Sequence, residues 1–194
     1  MKNSILHYKK EAKTKSSFHQ RLWIYLLKAT KELRLNFIFP FQLNMAVAVL
    51  NFFGDVNECK TLMMKMSRLP DCTLGKKLFD IMQANRIELV PWYKEHDLKH
   101  VLLGYKMDTL EEMRMQCFMW GNAGFSVFTT IMTFFFIIWT PEMWSDAKYH
   151  FNAGKLVKNV TKYKLESTIH RNLESLRTEI ELAKGIAYLN NLQP

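Results

Sequence analysis

The sequence predicts a single all-α domain of about six to eight helices. Apolar residues recur at three- to four-residue spacing along most of the chain, and no segment alternates with a period of two residues for long. The 194 residues include only 7 Gly and 5 Pro, which are too few for the many turns of an all-β sandwich. Because 48% of the residues are hydrophobic, the chain can bury a core without disulfides or a structural metal.

The helical domain is expected to span residues 18–194, after a basic and flexible N-terminal segment of residues 1–17. That segment is polar and carries five Lys and one Glu, for a net charge of +4. Ser16 or Ser17 is a suitable N-cap for a first helix. Apolar residues of this helix recur at helical spacing, at Phe18, Leu22, Leu26 and Leu33.

Turn and cap signals divide the rest of the chain into further helices. These signals are Pro40, Gly54-Asp55, Leu69-Pro70-Asp71, Thr73, Pro91, Asp108 or Thr109, and Thr140-Pro141. The segments with helical spacing that they delimit are 41–53, 56–67, 74–83, 92–105, a helix from 109 that can extend to 139, and 155–189.

The most apolar run is the 17-residue segment from Ala123 to Trp139, which contains one Ser and three Thr. A bilayer span needs about 20 largely apolar residues, so a buried central helix is favoured over a membrane span. The function predicted for such a buried helix is to line a hydrophobic, lipid-binding cavity. Burial is predicted for Phe128, Ile131, Phe135 and Trp139. Lipid contact is predicted for Met119, Phe125, Phe128 and Phe135.

The net charge of +9 lies in two basic segments, because residues 1–17 carry +4 and residues 148–171 carry +5. Such segments suit nucleic acid or an anionic membrane surface, or they serve solubility alone. The chain contains no recognisable nucleic-acid-binding module, so an anionic membrane is the predicted partner and nucleic acid is not. Three Cys without a C-x-x-C motif suit a reducing compartment, and the N-terminus lacks the apolar region of a secretory signal. Peripheral association with the cytoplasmic side of a membrane is therefore expected.

The candidate metal-binding segment surrounds His96 and His100. These residues are four positions apart, so they share one face of a helix. Two such imidazoles can bind one metal ion. Asp97 could ligate the ion from the side or orient a histidine, and Glu112 belongs to the first turn of the next helix. Nitrogen and oxygen donors predict Zn, with Fe(II) or Mn as alternatives. Since the imidazoles must be neutral, metal affinity is expected to fall as the pH drops through about 6.5. The alternative interpretation is a solvated polar helix face without a metal.

These residues form the pattern H-D-x-x-H, eleven residues, then E. With this pattern the chain resembles the coenzyme Q biosynthesis protein 4 family, over about residues 40–182. Flanking residues that match the family less specifically are Thr73-Leu74-Gly75-Lys76, His100-Val101-Leu102 with Gly104, Gly154-Lys155 and Leu176-Arg177. The chain departs from the family pattern at Leu103, Glu111 and Glu181.

The resemblance implies an all-helical, peripheral membrane protein with a divalent metal held by His96, Asp97, His100 and Glu112. The implied activity is removal of the ring C1 carboxylate of a polyprenylated hydroxybenzoate in ubiquinone synthesis, with hydroxylation there in some accounts. The alternative is a non-catalytic, lipid-binding scaffold for other quinone biosynthesis enzymes. A homodimer is compatible with either function. The histidine-aspartate phosphohydrolases are disfavoured, because candidates for their distant aspartate, such as Asp146, have no matching context.

Overall fold

The computed structural model describes residues 18–38, 54–122 and 143–191, together with positions 41, 45, 48, 51, 52, 130, 134 and 140. These residues form α-helices and no strand, which confirms the all-α prediction. The nine helices of the described residues are α1 (Phe18–Leu33, followed by a π-helical turn, Arg34–Ile38), α2 (Val56–Ser67), α3 (Leu74–Asn85), α4 (Lys94–Leu103), α5 (Thr109–Gly121), α6 (Trp144–Lys155), α7 (Leu165–Thr168), α8 (Leu173–Glu179) and α9 (Leu182–Asn190).

Two of the predictions concern residues outside this described part. These are the N-terminal segment 1–17 and the burial of Phe128, Ile131, Phe135 and Trp139. Among the described residues, no helix combines the length and the apolar character needed to cross a bilayer.

Short polar side chains begin three of the helices, and the sequence indicated two of these caps, at Thr73 and Asp108. Asp55 accepts hydrogen bonds from the first backbone N–H groups of α2, Thr73 from Lys76 of α3, and Asp108 from Leu110 and Glu111 of α5. Each cap satisfies N–H groups that have no partner within the helix. Helix α4 ends at Gly104, whose φ of +84° is a left-handed conformation that glycine adopts without a steric penalty. This turn sends the chain back so that the start of α5 meets α4.

Helix α4 is held at both ends by other parts of the chain. Lys94, in its first turn, forms ion pairs with Glu58 and Glu166. At its other end, Arg177 of α8 donates from Nε to the Leu102 carbonyl at 3.2 Å and from Nη2 to the Val101 carbonyl at 3.0 Å. Those carbonyls are among the four that lack an intrahelical partner at a helix C-terminus. Leu98 and Leu102 of α4 are fully buried, so the helix is fixed within the core.

Helices α5 and α6 pack with almost no space between their backbones. A Cβ atom on Gly121 would lie 1.8 Å from the Phe151 carbonyl oxygen, and one on Gly154 would lie 2.1 Å from the Phe118 carbonyl oxygen. The buried Asn122 follows α5, and its Nδ2 donates to carbonyls at the end of α6 while its Oδ1 accepts from Val160 N at 2.9 Å.

The end of α5 at Gly121 differs from the sequence interpretation, in which this helix could run on to Trp139. The reason is that the Asn122 side chain forms hydrogen bonds with the backbone of Val157 and Val160, and these bonds favour the end of the helix at this position.

Candidate metal centre

The two histidines of the motif lie on the buried face of α4. His96 and His100 are one helical turn apart, with ring centroids 4.8 Å apart and ring planes at 71°. Tyr93 stacks on the other side of His96 at a centroid distance of 4.1 Å. Packing on both sides limits rotation of the His96 ring.

Glu112 reaches both histidines from α5. Its Oε1 lies 2.8 Å from His96 Nε2, and its Oε2 lies 2.9 Å from His100 Nε2. The cap at Asp108 and the turn at Gly104 place Glu112 in the first turn of α5, opposite α4. The carboxylate therefore faces both imidazole nitrogens at once, and one ligand atom from each of the three residues lies within 4.8 Å of the others.

The second nitrogen of each ring also faces an acceptor. His96 Nδ1 lies 3.3 Å from Asp97 Oδ1, and His100 Nδ1 lies 3.3 Å from the Tyr105 carbonyl oxygen. Of the two roles that the sequence left open for Asp97, this geometry favours orienting His96. The predicted role of Asp97 as a metal ligand is not favoured. The Asp97 oxygen approaches His96 Nδ1, whereas Glu112 faces His96 Nε2.

A count of protons tests whether this site fits a metal ion. The two rings have four acceptor contacts, but two neutral imidazoles have only two N–H groups. If those protons sit on Nδ1, toward Asp97 and Tyr105, both Nε2 lone pairs point at the Glu112 carboxylate. That arrangement requires a positive charge, which is supplied either by extra protons or by a cation. A divalent cation bound by both Nε2 atoms and the Glu112 carboxylate would supply this charge and give each Nε2 lone pair a partner. The three side chains therefore fit a divalent metal ion.

The electrostatics of the metal-free site follow from the same contacts. Burial lowers the pKa of His96, but the Glu112 and Asp97 carboxylates outweigh burial and raise it from 6.5 to about 9. Burial raises the pKa of Glu112, but His96 and His100 hold it well below its ordinary value. The metal-free site therefore contains a buried imidazolium–carboxylate pair. Because a metal ion must displace this proton, the raised pKa of His96 predicts that metal affinity begins to fall at a higher pH than the 6.5 expected from the sequence.

Comparison with known proteins gives similarity in fold and none in sequence. No protein-family model matches the chain, and no curated protein sequence matches it. The fold is similar to a crystal structure from Nostoc punctiforme that is described as a "putative ubiquinone biosynthesis protein". The two share 17% sequence identity at a TM-score of 0.50, over 82% of this chain and 94% of that chain. At this level of sequence identity, the similarity shows a shared fold alone.

Sequence reasoning missed Gln116, one helical turn beyond Glu112 on α5. Its side chain is only 1% exposed, and its Nε2 donates to Glu112 Oε1 at 2.6 Å. Its buried Oε1 has no hydrogen-bond partner in the part of the chain that the structure describes. The signal was available, because residues four apart on a helix are neighbours and Glu112 was already a candidate ligand.

His150 was given no role from the sequence, yet it lies near the site. Its Nδ1 is 2.7 Å from the Tyr105 hydroxyl, and Tyr105 in turn offers its backbone carbonyl to His100. The two residues are 45 positions apart in the chain, so no local pattern could have paired them. His150 thus supports the loop that orients a candidate ligand.

One cavity reaches the centre, and a second shares Gly104, Tyr105 and Arg177 with the first. One of about 580 Å³ includes His100 in its wall, with the lysines Lys77 and Lys106 at its edge. A second of about 750 Å³ is lined by Tyr105, His150 and apolar residues of α4, α5 and α9.

The predicted lipid contacts remain predictions. Met119 is buried in the core, and Phe125, Phe128 and Phe135 lie outside the described residues.

Proposed function

We propose that this protein is a metal-dependent enzyme of ubiquinone biosynthesis that removes the ring C1 carboxylate of a polyprenylated hydroxybenzoate. The observation that carries the proposal is the convergence of His96, His100 and Glu112 on one point. The similarity in fold to the Nostoc punctiforme structure supports the pathway, and the motif resemblance supports the reaction.

In this proposal His96, His100 and Glu112 would hold a divalent ion, with one ligand atom from each residue. The ion supplies Lewis acidity for negative charge that develops as the C1–carboxylate bond breaks. Gln116 holds the Glu112 carboxylate in place, while Asp97 and the Tyr105 carbonyl hold the rings. The electron pair of the broken bond stays on the ring carbon, which takes up a proton as CO₂ leaves.

The choice of metal separates two versions of the reaction. Simple decarboxylation needs only a Lewis acid, for which Zn is the proposed ion. Hydroxylation at the same carbon needs a redox-active metal, dioxygen and a two-electron reductant as a further co-substrate. One oxygen atom of dioxygen then becomes the ring hydroxyl, and the other is reduced to water. Two histidines with one carboxylate are also the ligand set of non-haem Fe(II) oxygenases, so Fe(II) is the ion for that version. Mn(II) is the remaining alternative.

The neighbouring cavities offer room for such a substrate. An aromatic carboxylate that enters the 580 Å³ cavity would find His100, Lys77 and Lys106 among the residues of its wall. Neither lysine forms a salt bridge with another described residue, so both can attract an anion. The apolar walls of the adjoining 750 Å³ cavity suit part of an isoprenoid tail.

The test is turnover of a prenylated 4-hydroxybenzoate by protein loaded with Zn, Mn or Fe(II), measured as product mass and released CO₂. Wild type is expected to convert the substrate, and His100→Ala is expected to lose conversion. His170→Ala is the matched control, because His170 is exposed and far from the centre in sequence. Equal turnover by wild type and His100→Ala would contradict the proposal.

The second candidate function is a lipid-binding scaffold for other quinone biosynthesis enzymes. The observation that favours it is the 750 Å³ cavity with its largely apolar walls, which could hold a lipid without any reaction. Metal binding without turnover, together with a co-purified isoprenoid lipid in mass spectrometry, would support the scaffold instead.

A further inference from the structure

Helix α1 presents a row of apolar side chains to solvent. Leu22, Leu26 and Leu33 are separated by four and seven residues, so they share one face of the helix. All three are exposed, and Leu26 retains 45% of its accessible surface. Beside this row lie Tyr25, which is 68% exposed, and Trp23, which is 59% exposed. These five residues are called here the outer face of α1.

The outer face is not the side by which the helix attaches to the domain. Attachment occurs at the C-terminal end of α1, where Arg34 is buried and Leu35 packs against Met113 of α5. Leu27 and Lys31, on the opposite side of α1 from the leucine row, are only half-buried. Among the side chains of α1 that the structure describes, the leucine row is therefore more exposed than the opposite side. A contiguous exposed apolar surface of this kind marks a site of interaction.

The charge around the outer face indicates what covers it. Residues 1–38 contain seven Lys and two Arg against two Glu, so they carry +7 of the total charge of +9. Within α1 itself the sequence has Arg21, Lys28 and Lys31 against Glu32. A second copy of the chain would bring another +7 to the same interface, and the like charges would repel. An anionic surface instead attracts this segment, at about 1 kcal/mol for each Lys or Arg near it.

The residue types also suit a bilayer better than a protein groove. Trp and Tyr are enriched at the level of lipid headgroups, where an apolar ring and a polar edge are both accommodated. Helices that lie in the membrane plane combine such aromatic residues and leucines on one side with Lys and Arg elsewhere. Phe37, exposed in the π-helical turn that follows α1, adds another aromatic ring to this segment.

We propose that α1 lies in the plane of an anionic membrane surface and inserts its outer face among the lipid headgroups and upper acyl chains. The partner is the lipid surface itself. The proposal specifies which part of the chain makes the membrane association expected from the sequence, and it does not depend on the metal centre or on turnover.

The test is co-sedimentation of the metal-free, 194-residue chain with two kinds of vesicle. One is pure phosphatidylcholine, and the other is equimolar phosphatidylcholine and phosphatidylglycerol. Wild type is expected to bind the anionic vesicles at least about tenfold more tightly, and high salt should weaken that binding. Equal binding to both vesicles would overturn the proposed role of charge.

The decisive variant is Leu26→Glu, which places an anionic side chain within the outer face. Its matched control is Leu156→Glu, because Leu156 has the same exposed fraction of 45% and follows α6, within the other basic segment. Leu26→Glu is expected to lower the vesicle partition coefficient by about tenfold or more, and Leu156→Glu to change it by less than about threefold. Equal losses in the two variants would overturn the assignment to α1. Circular dichroism of both variants would confirm that each remains folded.

Two further measurements separate the bilayer from a second copy of the chain. Brominated lipids should quench the tryptophan fluorescence of wild type more than that of Trp23→Phe, because Trp23 lies on the outer face. Light scattering should give the same oligomeric state for wild type and Leu26→Glu. A dimer that dissociates in Leu26→Glu, with vesicle binding unchanged, would show that the outer face is a protein interface and would refute the proposal.

Discussion

The metal-free protein should lose stability as the pH rises from about 6.5 to about 9, a direction set by the pair between His96 and Glu112. The folded-state pKa of His96 is raised from 6.5 to about 9, so the proton is bound more tightly in the folded than in the unfolded chain. The stabilisation is therefore fully present below about pH 6.5 and is lost as the pH rises through about 9. A difference of about 2.5 between the folded and unfolded pKa values corresponds to about 3 kcal/mol of folding stability. This energy belongs to the pair of His96 and Glu112, so the lowered pKa of Glu112 does not add to it.

The assay is urea unfolding in the presence of a chelator, at about pH 6 and above about pH 9. Wild type should lose up to about 3 kcal/mol in the free energy of unfolding, and Glu112→Gln should lose much less because its side chain is neutral. Glu88→Gln is the matched control, since Glu88 is exposed and outside the site. An equal pH dependence in wild type and Glu112→Gln would refute the reasoning. With a divalent ion bound, the sign should reverse, because affinity rises as the His96 proton is lost.

Two further predictions concern the groups that position the centre and the contact between α5 and α6. Gln116→Leu should lower metal affinity by about 10- to 100-fold in a competition assay with a chromogenic chelator, because Glu112 loses its amide donor; unchanged affinity would contradict the role given to Gln116. Gly121→Ala should lower the free energy of unfolding by about 3 kcal/mol or more in denaturant titrations, since its Cβ would lie 1.8 Å from the Phe151 carbonyl oxygen. Gly185→Ala should lower the free energy of unfolding by less, because the closest atom to its Cβ, at 2.9 Å, is a methyl group of Val157, which can move. Equal losses of stability in the two variants would show that the backbone contact at Gly121 does not determine the loss.

The elements with strong local signals could be predicted from the sequence. The start of α3 at Thr73 and the start of α5 at Asp108 follow from caps that act on the next few residues. The pairing of His96 with His100 follows from helical periodicity, and the sequence also placed Glu112 in the first turn of the next helix. In each case the deciding interaction spans about one turn of chain or a short loop.

Features that depend on distant parts of the chain could not be predicted in this way. The end of α5 depends on hydrogen bonds from Asn122 to a segment more than 30 residues away. The contact between His150 and Tyr105 spans 45 residues. The pKa of His96 depends on the distances to two carboxylates, which a sequence spacing does not supply. For the same reason, the sequence left two roles for Asp97 where the structure favours one.

The most direct test of the metal centre is the metal content of the 194-residue chain after separate exposure to Zn, Mn(II) and Fe(II), followed by gel filtration. The geometry of His96, His100 and Glu112 predicts about one bound ion per chain in wild type and in His170→Ala, and a loss of most of that ion in His100→Ala with helix content nearly unchanged. Wild-type protein that stays metal-free with all three ions, or His100→Ala that binds metal as well as wild type, would contradict the account.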